Sequence, residues 1–97
     1  MTEKIMTLHP DPAKKGVNID RAKYDTMKAA ILYLLAGHED TTFGGLLTEV
    51  QAHLGDTFDG SISWYYVTVK LDLEARDVIE RVKGSGPQGI RLKDSQK

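Results

Sequence analysis

The side chains that could do chemistry in this chain are few and lie far apart. The three histidines, His9, His38 and His53, share no metal-ligand spacing. His38-Glu39-Asp40 is a run of adjacent residues, and neighbours along a chain rarely close together on one ion. The chain has no cysteine, which excludes disulfides and thiolate zinc sites. Gly84-Ser85-Gly86 lacks the downstream Lys-Ser/Thr of a phosphate-binding loop and precedes a strand-like stretch instead of a helix. The carboxylates are scattered, and no nucleophile–base pair stands out. The expectation is a protein that is not an enzyme and uses no cofactor or metal. A small effector between the first and third helices is compatible with the sequence, but no residue pattern demands one.

Recognition chemistry remains. Trp64-Tyr65-Tyr66 could stack on bases, form a partner-binding hot spot, or pack within the fold. Three consecutive helical residues cannot all face one core, so at least one ring is exposed or in an interface. Lys14-Lys15 could meet phosphate or simply be solvated. The net charge of −1 hides an uneven distribution. From His38 to Gly60 the carboxylates Glu39, Asp40, Glu49, Asp56 and Asp59 meet no Lys or Arg. From Val78 onward, Arg81, Lys83, Arg91, Lys93 and Lys97 outnumber Glu80 and Asp94. A near-neutral total argues weakly against nucleic acid, whereas a basic patch argues for it.

These residues must be held by a small set of elements. A chain of 97 residues builds one domain with a thin core. Residues 1–19 read as an arm, because His9-Pro10-Asp11-Pro12 cannot sit inside a helix; Val17 and Ile19 are placed to pin its end. Asp20 reads as an N-cap. Behind it Tyr24, Met27, Ile31, Leu34 and Leu35 recur at helical spacing, and Gly37 supplies the stop. Thr41-Thr42-Phe43 is a short β-prone piece. Leu46, Leu47, Val50 and Leu54 mark a second helix ending at Gly55, its start weakened by Gly44-Gly45. Ser61 is placed to cap a third helix, in which Ile62, Tyr66, Val69 and Leu73 form a buried stripe. Trp64, Val67 and Leu71 form a second stripe at i, i+3 and i+7. A helix apolar on two sides is buried on two sides, here by the arm or by a partner subunit. Val78–Lys83 and Ile90–Lys93 read as two strands around a Gly-rich loop, and residues 94–97 as a frayed tail.

The order helix, short strand, helix, helix, hairpin is that of a winged helix-turn-helix: mainly α, three helices with a short antiparallel sheet, over residues 20–93. Leu73-Glu74-Ala75-Arg76-Asp77-Val78-Ile79-Glu80-Arg81-Val82 resembles the junction where the recognition helix of MarR-type and ArsR-type regulators passes into the wing. That junction usually carries Gly where this chain has Asp77, because the helix end needs a left-handed backbone, which Asp tolerates better than most residues. Most of the chain is also similar to a small family of bacterial proteins of unknown function. Gly16-Val17-Asn18-Ile19-Asp20-Arg21, Gly60-Ser61-Ile62-Ser63-Trp64-Tyr65-Tyr66 and Lys70-Leu71-Asp72-Leu73-Glu74-Ala75-Arg76 carry that similarity.

The winged-helix resemblance implies that helix 3 enters a DNA major groove and that the wing touches the backbone. By position, Ser61, Ser63, Tyr65, Thr68 and Asp72 would form the solvent face of helix 3. Lys83, Ser85, Gln88 and Arg91 would line the wing, and Lys14, Lys15 and Arg21 would extend a basic arm. The first expectation is therefore a dimeric, transcription-regulator-like module on double-stranded DNA. The alternative is a protein-interaction module of the same fold, pairing or adapting through Trp64, Val67 and Leu71. No apolar run reaches the ~20 residues of a membrane span, and Met1 to Leu8 lacks the apolar stretch of a secretory signal. Together with the absence of cysteine, this sets the expected location in the cytoplasm.

Overall fold

The computed structural model describes residues 3–11, 13–37, 41–58, 60–82 and 89–92. Strands β1 (Lys4–Met6) and β2 (Asn18–Asp20) lead into helix α1 (Arg21–Ala36). Then come β3 (Thr41–Thr42), α2 (Phe43–Leu54), a 3-10 turn at Gly55–Thr57, α3 (Ile62–Ala75), β4 (Ile79–Val82) and β5 (Gly89–Leu92). The fold is mainly helical with a small antiparallel sheet of order β3-β5-β4. In it Thr41 faces Ile90, and Ile79 faces Leu92. Among the described residues no helix is long and apolar enough to cross a membrane.

The apolar stripes of the three helices meet in one core. Tyr24, Met27, Ile31 and Leu35 from α1, Leu46 and Val50 from α2, and Tyr66, Val69 and Leu73 from α3 are buried. Ile19, Ile79 and Ile90 close the core from the strands. The β-branched and aromatic residues of α3 do not make it a strand, because its apolar positions follow the helical period that the packing rewards.

The helix ends show how local chemistry sets the boundaries. Ser61 Oγ accepts the amide of Trp64 at 3.2 Å and caps α3. Thr42 Oγ1 accepts the amide of Gly45 at 2.9 Å and caps α2. A Cβ on Gly45 would lie 2.8 Å from that hydroxyl, so glycine there makes room for the cap. Asp20 precedes α1 as expected, but its side chain makes no capping bond and its Oδ1 is buried without a partner. The helix start is held instead by the arm, since the amide of Arg21 donates to the carbonyl of Glu3 at 2.8 Å. Gly37 ends α1 with a right-handed backbone. Asp77 ends α3 with φ of 63°, the left-handed conformation that its place at the junction requires. Its amide donates to Glu74 and that of Val78 donates to Leu73, the paired bonds of a Schellman end. Val78 thus belongs to the helix end, which explains why β4 begins one residue after it.

The β1–β2 pair is not among the elements expected from the sequence. Ile5 faces Ile19, and Met6 faces Asn18. Beyond the ladder, the amide of Thr7 donates to Val17 O at 2.8 Å, and the amide of Val17 donates to Thr7 Oγ1 at 2.9 Å. The expected arm is therefore a hairpin lying against α1 and α3.

Candidate functional site

Helix α3 presents two faces. The inner one carries Tyr66, Val69 and Leu73, all buried. The outer one carries the second apolar stripe: Trp64 is 47% exposed, Val67 is 38% exposed, and Leu71 is half-buried. Leu71 lines a narrow groove with Thr68, Leu8 and Val17, so the arm covers the C-terminal half of the stripe and leaves Trp64 and Val67 open. Leu8 and Val17 are themselves substantially exposed and extend the apolar surface onto the arm.

The polar positions expected on that face are divided. Ser61 is exposed, but its hydroxyl is used as the helix cap. Ser63 is exposed, and its hydroxyl accepts a long bond from Gln51 Nε2 at 3.4 Å. Tyr65 is half-buried; its ring meets Phe58 and Trp64 edge-on, with Lys23 Nζ 5.5 Å from its centre. Thr68 is half-buried beside the arm. Lys83, Ser85 and Gln88 lie outside the described residues.

Asp72, expected on the solvent side, is fully buried. The arm crosses α3 at this point and takes the carboxylate as its anchor. Asp72 Oδ1 accepts the amide of Leu8 at 2.8 Å, and Oδ2 accepts the hydroxyl of Tyr24. Arg76 Nε lies 2.9 Å from both oxygens. One carboxylate therefore ties the arm, α1 and α3 together, with its charge answered by a guanidinium. The same contacts perturb their partners. Burial, then the hydrogen bond to Asp72, pushes the Tyr24 phenol up from 10.0 to about 12. The hydrogen bond to Asp72 raises Arg76. Sequence reasoning missed this hub because a lone Asp on a helix reads as solvated.

Among the described residues, several of the cations that DNA binding could use are paired within the fold. Lys70 is buried against Glu74 at 3.2 Å and sits over the Phe43 ring. Burial lowers the pKa of Lys70, and the Glu74 carboxylate opposes that shift. Arg81 Nε donates to Glu74 at 2.6 Å, and Arg91 Nε donates to Glu80 at 2.6 Å. Arg21 lies 3.6 Å from Glu3 and 3.9 Å from Asp25. Lys14 and Lys15 are exposed on the arm.

His9 lies on the arm and His53 near the end of α2, while His38 falls outside the described residues. Among the described residues no three His, Asp or Glu side chains converge as metal ligands. The described residues offer an open apolar face on α3 and a groove beside the arm. No curated protein and no solved structure matches the chain. A family model does, over residues 4–90, and the chain belongs to that family, the family of unknown function DUF6958.

Proposed function

We propose that the protein is a winged-helix interaction module that pairs two copies through the outer face of α3. The order α1-β3-α2-α3-β4-β5, with sheet order β3-β5-β4, supports the winged-helix reading. The observation that carries the pairing is an apolar stripe left partly uncovered on a helix whose opposite face already fills the core. A two-fold axis across α3 would set the stripe of one copy on the same stripe of the other, as an isologous contact requires. Trp64 is the chain's single tryptophan, so its emission reads the contact directly. Concentration from sub-micromolar to hundreds of micromolar is expected to shift that emission to shorter wavelength in the wild type and not in Val67→Asp. Emission unchanged over the whole range in the wild type would contradict the pairing.

The winged-helix order and the exposed Ser63 on α3 keep a second reading, DNA binding, open to a direct test. The ion pairs of Arg76, Arg81 and Arg91 weigh against it, since neutralised guanidinium groups release few counterions from a duplex. Fluorescence anisotropy of labelled random duplex DNA, at low and near-physiological salt, separates the two. The pairing reading expects no binding at tens of micromolar protein. Binding that weakens steeply with salt would establish the DNA reading.

A further inference from the structure

We infer that the groove between the arm and the C-terminal end of α3 is a binding site for an aliphatic carboxylate. This groove is distinct from the open Trp64–Val67 face and does not depend on pairing. Its volume is about 510 Å³, within the range of small-molecule sites. Met6, Leu8 and Ala75 give it apolar walls, and His9, Lys14 and Lys15 supply its polar atoms.

Three features fix the class of ligand. The apolar walls are the aliphatic side chains of Met6, Leu8 and Ala75, and no aromatic ring other than the His9 imidazole lines the groove, which suits an alkyl chain better than a stacked ring. Met6 is 57% exposed and Leu8 43% exposed, so an alkyl chain laid on them would remove apolar surface from water. The charge on the lining is positive. Among the described residues no ion pair engages Lys14 or Lys15, whereas the arginines of α1, α3 and the sheet are paired. His9 Nδ1 accepts the amide of Asp11 at 3.0 Å, which leaves Nε2 as the ring's N–H donor. The Asp11 carboxylate on the arm is turned into its own loop, where Oδ1 accepts the amide of Ala13 at 3.0 Å.

The groove is formed before any ligand arrives. A Cβ on Gly16 would lie 1.8 Å from the carbonyl oxygen of Thr7, so only glycine lets the two arms of the hairpin approach this closely. The buried Asp72 carboxylate, holding the Leu8 amide, fixes the hairpin on α3. A preformed wall with exposed lysines on its rim binds a chain and its head group without reordering the backbone.

The test uses the full chain, isotope-labelled, titrated with octanoate and in parallel with 1-octanol, well below the concentration at which octanoate forms micelles. Octanoate is expected to move the amide signals of Leu8, Lys15, Gly16 and Ala75 in the millimolar range or below, and octanol to bind more weakly. The exposed pair Lys14→Glu/Lys15→Glu is expected to weaken octanoate by about tenfold, with each solvent-exposed ammonium counting for part of that, and to leave octanol unchanged. Three results would overturn the inference: no shift at millimolar octanoate, equal binding of octanoate and octanol, or shifts confined to Trp64 and Val67.

Discussion

Asp72 gathers the Leu8 amide, the Tyr24 hydroxyl and the Arg76 guanidinium, and its burial gives it consequences beyond one helix. Removing one member of a buried, hydrogen-bonded charge pair costs about 3 kcal/mol, less where the partner can reach water as Arg76 can. Asp72→Ala is therefore expected to lower the midpoint of thermal unfolding markedly. It should also release the Leu8 amide to rapid hydrogen exchange while the amides of Ile31 and Val69 stay protected. Equal protection of Leu8 in wild type and variant would show that the arm is held without Asp72. Asp77 makes a smaller test. Its φ of 63° strains any side chain, and Asp77→Gly is expected to stabilise by up to about 1 kcal/mol, partly offset by the freedom of glycine when unfolded. A lower melting temperature in that variant would count against the left-handed helix end.

The buried phenols set the alkaline limit. The Tyr24 pKa is raised to about 12 by burial and by its bond to Asp72, and burial raises Tyr66 as well. A phenol whose pKa is raised in the fold contributes stability that is complete below its unfolded value near 10 and is lost as pH climbs through the folded value. Lys70, lowered by burial, acts in the opposite sense, but only up to its unfolded value of 10.5, above which it is neutral in both states. Denaturant unfolding is expected to show stability falling between about pH 10 and 12, with a smaller fall in Tyr24→Phe. A flat profile there would mean that Tyr24 ionises as freely in the fold as outside it.

At the scale of elements, the parts legible in the sequence are those whose signals are local. The stripes Tyr24–Met27–Ile31 and Tyr66–Val69–Leu73 repeat at the helical period, and α1 and α3 follow them. Ser61, Gly55 and Asp77 mark helix ends with their own chemistry, and each end falls where that chemistry places it. The arm is legible in His9-Pro10-Asp11-Pro12 and its pinning in Ile19, but its folding into a hairpin is not, because nothing local demands that pairing. Lys4–Met6 is only three residues long, and its anchor lies 64 residues from Leu8 along the chain. For the same reason the fate of the second stripe on α3 was undecided. Its C-terminal part, at Leu71, meets the arm, and its N-terminal part stays open. Gly16→Ala tests how the arm is held. A Cβ 1.8 Å from the Thr7 carbonyl cannot be accommodated, so the hairpin should open and fluorescence or exchange probes on Leu8 and Val17 should report it. A hairpin intact in that variant would require a different path for the backbone.

On the scale of the whole molecule, the open face of α3 at Trp64 and Val67 stands apart from the lysines of the arm. Arg76, Arg81 and Arg91 are paired within the fold, Lys14 and Lys15 stand on the arm beside the exposed Met6, Leu8 and Val17, and Trp64 and Val67 lie open on α3. The sequence carried the net charge and its uneven distribution, but not the pairing, because Glu74 and Glu80 become partners only when α3 and the sheet pack. A surface of this kind fits apolar association better than phosphate binding. Such association should persist at high salt, where contacts to phosphate would weaken. Sedimentation velocity tests this most directly, run on the wild type and on Val67→Asp from low to high micromolar concentration, at low and high salt. The account predicts a dimer in the wild type at both salts and a folded monomer in the variant. A wild type that stays monomeric at every concentration would contradict it.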